Sequence, residues 1–509
     1  MSDHKLVLKN TMMLYLRMLV TLAISLFTTR IVFNALGLSD LGIYNVVGGV
    51  LSLLGILNNT MAGSAQRFIS FDLGRKDVDR LKQTFGTLLT TQVILAIGIV
   101  LLAETIGLWF VNNKLVIPAD KMVAANWIYQ TAIISMVLGI IKSPFTASVI
   151  AYERMSIYAY FTIVDVVIKL LIVVALLYIP DNRLIIYALL LLLSAIIDFL
   201  ITVIYCLKKL KGCSFRLSYN KSRFKEIFSY SGWTLVGQST IIANEQVVNI
   251  FLNWFFGPIA NGAKSIADRV KGMVAQFVYQ FQTAVSPPII KSYAAGDYQD
   301  MRFLLFMGCK ISFILMFILS FPLIMEAPFI FQIWLGSVPE YTVWFLRLIL
   351  LNTLIDSITG PVSKSIQATG KIKKEQVQVS LILFSIIPCS YLLLYFGLPP
   401  YSVFLINILT GLVTIFVRVH ILSNLIPLSL KQFTKEAFIP CFLGSVVAFT
   451  IILLIKLAQQ NVNFWISCFN CILCVLIACI SFYYLALNKS EQQYAIKLFQ
   501  KVLKIKRSK

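Results

Sequence analysis

The amino-acid sequence predicts an all-α polytopic membrane protein of about fourteen transmembrane helices: two pseudo-symmetric six-helix lobes plus two C-terminal helices. Three observations carry that expectation: more apolar residues than a water-soluble core can absorb, basic residues gathered into alternate loops, and an internal repeat. Of 509 residues, 59% are hydrophobic and 13% charged, against roughly 45–50% and 25% in soluble globular proteins. This excludes the disordered, fibrous and disulfide-rich classes. At ~20 apolar residues per crossing, with short loops, the length accommodates roughly 12–15 spans.

In order, the apolar runs fall at 11–35, 41–64, 87–111, 123–149, 157–179, 184–207, 229–255, 264–288, 303–325, 341–365, 377–397, 401–423, 438–458 and 463–486. The first follows a short polar leader, exceeds the apolar stretch of a signal peptide and lacks a small-residue cleavage site, so it is expected as a retained helix. The net charge of +22 is positional, because about thirty of the 44 Lys and Arg lie in the termini and alternate loops, seven of them in the run from Lys208 to Lys225. The positive-inside rule then places both termini in the cytoplasm and requires an even number of spans. Trp109, Trp127, Trp254, Trp334, Trp344 and Trp465 fall near the opposite ends, as an interfacial belt would. The loops are too short for an extracytoplasmic catalytic domain or a nucleotide-binding domain. Gly370-Lys371 lacks the Ser/Thr and the upstream glycine of a phosphate-binding loop. The basic loops thus reflect topology rather than nucleic-acid binding.

The repeat pairs Ser143-Pro144-x3-Ser148-x2-Ala151-x2-Arg154 with Gly360-Pro361-x3-Ser365-x2-Ala368-x2-Lys371, at an offset of 217. Gly74…Arg80 after span 2 echoes Gly296…Arg302 after span 8, and Gly37-x4-Gly42 echoes Gly257-x4-Gly262. Spans 1–6 and 7–12 are therefore expected to be parallel copies, six being even. The expected organisation is an N-lobe at 1–207, a basic linker at 208–228, a C-lobe at 229–424, accessory spans at 438–486 and a basic amphipathic tail at 489–509.

Polar stripes should face protein or water rather than lipid. Span 1 carries Asn10, Arg17, Thr21, Ser25 and Thr28 on one face, and span 2 carries Asn45, Gly48, Ser52, Gly55, Asn59 and Gly63. Span 7 carries Ser231, Thr234, Gln238, Glu245 and Asn249, and span 8 carries Ser265, Arg269, Gly272, Gln276, Gln280 and Thr283. Four corresponding helices with polar faces suggest a hydrated central cavity. The competing reading is that such stripes merely glue helices together. Candidate substrate-binding residues are Arg17 and Arg269, with Arg30 and the amides Asn59, Gln238, Asn249, Gln276 and Gln280. Arginine suits a phosphate through its planar fork. Arg30, Lys271 and Arg347 lie in outer thirds of spans, where they can snorkel. Glu245, near mid-depth and without an evident basic partner, is the leading ion-coupling candidate, ahead of Asp165 and Asp356. Asp165 and Lys169, four apart, can instead neutralise each other. No cofactor or metal is expected beyond proton or sodium coupling: the nine cysteines are scattered, and His4 and His420 are isolated. Enzymatic activity is not expected.

The segments Tyr15-Leu-Arg17-Met-Leu, Asn34-Ala-Leu-Gly37-Leu-Ser-Asp-Leu-Gly42-Ile-Tyr44-Asn45, Phe71-Asp-Leu-Gly74-Arg-Lys and Gln367-Ala-Thr-Gly370-Lys371 resemble the Wzx-type polysaccharide-biosynthesis flippases of the multidrug/oligosaccharidyl-lipid/polysaccharide exporter superfamily. The resemblance covers nearly the whole chain. It implies a two-lobed bundle with spans 1, 2, 7 and 8 around the cavity and alternating access. The implied cargo is an undecaprenyl-diphosphate-linked oligosaccharide, moved outward across a bacterial inner membrane. Membrane lipids and a polysaccharide polymerase with its chain-length regulator are the expected partners. Arg17, Arg30 and Arg269 are the positions it carries over. A cation-coupled multidrug exporter of the same fold and a lipid II flippase are alternatives; a membrane glycan polymerase lacks the loop it would need.

Overall fold

The structure, a computed structural model, describes residues 9–25, 27–28, 31, 43–44, 47, 55–113, 117–178, 182–335, 338, 340–459, 463–488 and 491–492. Helices α1 to α14 take the order of the fourteen apolar runs. They are α1 (9–25), α2 (Gly55–Gly74), α3 (Val78–Asn113), α4 (Met122–Ala151), α5 (Met155–Leu176), α6 (Arg183–Lys209), α7 (221–256), α8 (258–294), α9 (Tyr298–Met325), α10 (Thr342–Thr369), α11 (Lys373–Tyr395), α12 (Ser402–Ser423), α13 (Leu430–Ala458) and α14 (Phe464–Leu485). Among the described residues there is no strand. Ten helices, α3–α6 and α9–α14, are long and apolar enough to cross a membrane. Helices α7 and α8 do not meet that measure, because their polar stripes leave no sufficiently apolar stretch. The chain is a multi-pass membrane protein.

Helices α7 and α8 run on from one another except at Gly257, whose φ of 74° and ψ of −170° break the helix. Pro258 follows, and a proline disfavours the helical region at the residue before it. The Gly257-x4-Gly262 turn is thus a kink at its first glycine, with Gly262 already helical.

Two compact units form, Met1–Gln238 with Ser286–Asp297, and Ser239–Val285 with Tyr298–Lys509. The division runs through α7 and α8. In the first unit α4 is the hub, packing on α2, α3 and α6. In the second α10 packs on α9 and α12, while α14 lies against α9 and α13. Rings of Phe317, Phe321, Phe449 and Phe482 join α9 to α13 and α14, with centroids 4.7–5.0 Å apart for Phe321–Phe449, Phe317–Phe321 and Phe317–Phe482.

The repeat has a local structural signature. Ser148 Oγ donates to the Pro144 carbonyl and Ser365 Oγ to the Pro361 carbonyl, both at 2.9 Å. Such back-bonding from a serine to the carbonyl four residues earlier is a local helix bond, set here one turn after each proline. Both helices then end in a left-handed residue, Glu153 (φ 59°) and Gly370 (φ 78°), whose N–H donates three residues back, to Ile150 and Gln367. The loop match after spans 2 and 8 needs a shift of register. The left-handed residue is Lys76 (φ 57°) in one copy and Gly296 (φ 77°) in the other, with helices starting at Val78 and Tyr298. Lys76, not Gly74, therefore corresponds to Gly296. Gly74 itself ends α2 against the end of α8, where a Cβ would come within 2.7 Å of the Lys291 carbonyl.

The basic loops also have a structural role. In the first unit Asp72, 1% exposed, accepts from the Thr84 hydroxyl at 2.5 Å and meets Arg80 at 3.0 Å and Arg223 at 3.6 Å. Lys291 meets Glu153 at 2.6 Å.

Candidate functional site

Within the second unit, α7, α8, α10, α11 and α12 enclose a cavity of about 290 Å³. Each helix contributes on a helical repeat: Asn244, Glu245 and Val248 from α7; Lys264, Asp268 and Lys271 from α8; Asn352, Asp356 and Thr359 from α10; Asn407, Thr410, Thr414 and Arg418 from α12. Apart from the adjacent Asn244 and Glu245, spacings of three, four and seven place each set on one face. Val379, Leu383 and Ile386 of α11 supply an apolar wall.

Most charges here have a partner of opposite sign. Lys264 Nζ lies 2.7 Å from Asp268, and Lys271 Nζ lies 3.7 Å from Glu245. The Asn352 amide donates to Asp356 at 3.1 Å. Arg418 donates through Nε to Glu375 at 3.1 Å, and the same carboxylate oxygen accepts from Ser363 at 2.7 Å. Three acids and three bases line the cavity, so its charge is balanced rather than cationic. Three amide oxygens, Oδ1 of Asn244, Asn352 and Asn407, are buried without a hydrogen-bond partner among the described residues. The cavity thus offers neutral oxygen acceptors beside carboxylates, a donor set that suits a proton or a hard cation.

Of the residues singled out in the sequence, Glu245 and Asp356 come together on this cavity. Glu245 does have a basic partner, contrary to expectation, and it is Lys271. That lysine lines the cavity instead of snorkelling, because its α8 position faces Glu245 of α7. Lys264, the first residue of the eighth apolar run, sits on α8 at 7% exposure, held by Asp268. Arg269 and Asn249 line a shallower neighbouring recess with Ser265 and Asp268. Gln238 and Gln276 are exposed, and Gln280 is buried. Arg17 belongs to the first unit, its guanidinium 4.7 Å over the Tyr158 ring. Arg30 and the side chain of Asn59 lie outside the described residues. Asp165, also in the first unit, is bound by Lys169 at 2.7 Å and by the Ser194 hydroxyl at 3.1 Å.

Sequence reasoning passed over Arg418, Glu375, Asn352 and Asn407. The signal was available, since Asn407, Thr410, Thr414 and Arg418 form a polar face on an otherwise apolar helix. Arg347, expected to snorkel, donates to the Ile324 carbonyl at 3.0 Å.

Comparison with known proteins follows the same region. Residues 234–396, from α7 to α11, match the MatE family. No curated protein matches the chain. Among solved structures, a point mutant of a MATE protein superposes with a TM-score of 0.71 at 12% identity, covering 84% of this chain and 99% of that one. An outward-facing multidrug resistance MATE family transporter of the MOP superfamily gives 0.70 at 13%, with coverages of 84% and 99%. A MOP superfamily transporter from Pyrococcus furiosus, described as having a binding pocket of reverse polarity, gives 0.67 at 13%, again with 84% and 99%. The chain therefore has the fold of the MATE transporters of the MOP superfamily, with a match to the MatE family across the helices that build most of its cavity.

Proposed function

We propose that the protein is a cation-coupled exporter working by alternating access, with Glu245 and Asp356 as the groups that exchange a proton or sodium ion. The observation that carries this reading is the convergence of both carboxylates with three unpartnered amide oxygens on one cavity. Both carboxylates are exposed on the cavity, so an ion that enters it can reach them. At 3.7 Å Lys271 is a loose partner for Glu245, so an incoming cation competes with it at modest cost. Cation binding and release then bias two arrangements of the helices. Counterflow in proteoliposomes tests this. Glu245→Gln and Asp356→Asn should each lower gradient-driven uptake by at least about tenfold, a loss of ~1.4 kcal/mol in coupling, while the protein stays in the membrane. Undiminished uptake in the double variant would sink the reading.

The balanced charge of the cavity favours a second reading of the cargo. Lys264, Lys271 and Arg418 offset the three acids, so the cavity carries no net negative charge to hold a cationic drug. On this reading the protein flips an undecaprenyl-diphosphate-linked oligosaccharide to the outer leaflet of a bacterial inner membrane, both termini being cytoplasmic. Arg17, Arg269 and Arg30 bind the diphosphate, and Asn59, Gln238, Asn249, Gln276 and Gln280 bind the glycan. A polymerase and its chain-length regulator receive the product. A deletion strain separates the two: unextended lipid-linked units on the cytoplasmic side indicate the flippase, and drug sensitivity with normal surface glycan indicates the drug exporter.

A further inference from the structure

Away from the cavity, the second unit carries a groove of about 480 Å³ at the ends of α9, α10, α13 and α14 farthest from the basic loops. Its polar half is organised by one buried carboxylate. Glu326, 4% exposed, meets the Lys456 ammonium at 2.8 Å and accepts from the Asn470 amide at 3.2 Å. Lys456 donates also to the Met325 carbonyl at 3.0 Å. Arg347 lines the same groove, anchored through Nε to the Ile324 carbonyl at 3.0 Å, with its guanidinium 5.3 Å from the Trp344 ring. Two cations stand against one carboxylate, so the groove is net positive. The anchoring bond uses one of the guanidinium's five donors. Among the described residues its two terminal nitrogens make no hydrogen bond, and they form the fork that matches a phosphate.

The other half is apolar. Phe329, Ile333 and Phe464 line it, and Trp334, Trp344 and Trp465 stand exposed at the same helix ends. Tryptophans of this kind mark the headgroup level of a bilayer. A free anion would have no use for that wall, whereas a lipid presents phosphate and glycerol above acyl methylenes in the same order.

We propose that this groove is a binding site for the phosphate of an anionic phospholipid. The Arg347 fork and the remaining Lys456 donor take the phosphate, and Phe329, Ile333 and Phe464 take the upper acyl chain. Glu326 keeps Lys456 in place at this depth and trims the charge enough that a single phosphate neutralises the site. This inference does not depend on what the protein transports.

Native mass spectrometry of the full chain in detergent, titrated with phosphatidylglycerol or phosphatidylcholine, tests it. The wild type should retain phosphatidylglycerol at about a tenfold lower concentration than phosphatidylcholine, the difference one charge-assisted contact makes. Ile333→Glu introduces a repelling carboxylate at a position 57% exposed, without touching the buried network. It should abolish the preference while leaving the lipid-free unfolding temperature unchanged. Arg347→Gln should do the same, and Lys121→Gln, on the first unit, should not. If Arg347→Gln fails to fold, Ile333→Glu decides. Equal retention of the two lipids, or an unaltered preference in Ile333→Glu, overturns the proposal. So does inorganic phosphate displacing phosphatidylglycerol at equal concentration, which would make this a site for free anions, and so does a polyprenyl diphosphate doing so, which would make it a cargo site.

Discussion

Glu375 sits at the start of α11 with 1% exposure, and its charge is answered by Arg418 and Ser363. Removing one member of such a pair leaves the other charge buried and uncompensated, whereas replacing both is far milder. Glu375→Ala should therefore lose about 3–5 kcal/mol of stability, read as a lowered unfolding temperature in detergent. Glu375→Gln with Arg418→Met should recover most of it. Nothing local in the sequence pairs these two, because they lie 43 positions apart. The segment between α6 and α7 supplies a pH-dependent case. Burial pushes the Cys213 thiol from 9.0 up to about 11, with a hydrogen bond from Ser148 acting the other way. Since the thiolate is the nucleophile, alkylation by maleimide at pH 8 should be about a hundredfold slower than for an unshifted thiol, with the difference vanishing in denaturant. The folded pKa being the higher one, this burial favours the fold fully below pH 9 and ceases to do so as the pH rises through 11.

Gly257 is the joint on which α7 and α8 depend. Its φ and ψ fall in a region open essentially to glycine, and a Cβ there would meet no neighbour within 4 Å. Gly257→Ala should thus cost about 1–3 kcal/mol through backbone strain alone. Gly74→Ala meets the Lys291 backbone directly and should be worse by the same melting measurement. The elements themselves were legible in the sequence, since a membrane demands long apolar runs and a proline followed by a serine four residues later makes the same local bond in both copies. The loop register was not, because glycine identity suggested Gly74 opposite Gly296, while the backbone requires a left-handed residue that lysine supplies in one copy and glycine in the other. Of the stripe expected on span 7, Glu245 lines the cavity, whereas on α8 the cavity face is Lys264, Asp268 and Lys271, and Ser265 and Arg269 of the expected stripe line the neighbouring recess. The polar face of α12 escaped notice, its few polar residues being diluted along a helix that is otherwise apolar.

At the scale of the molecule, the second unit is tied together by a residue beyond α14. Lys310, in the middle of α9 and 1% exposed, meets Glu491 at 2.7 Å and the Ala486 carbonyl at 3.4 Å. Truncation after Asn488 should leave that ammonium unpaired and cost about 3–5 kcal/mol, while truncation after Gln492 should be nearly neutral. Comparing the two unfolding temperatures separates the ion pair from any effect of the basic tail. The sequence alone determined the class of protein, the placement of its helices and the duplicated plan, because those follow from bilayer thickness, hydropathy and helical period, each a property of neighbours along the chain. Only the tertiary structure decided that Lys271 answers Glu245, that Arg418 answers Glu375 and that Glu245 and Asp356 share a cavity. Those are contacts between helices far apart in sequence, and a charge inside a membrane is defined by the partner that packing brings to it.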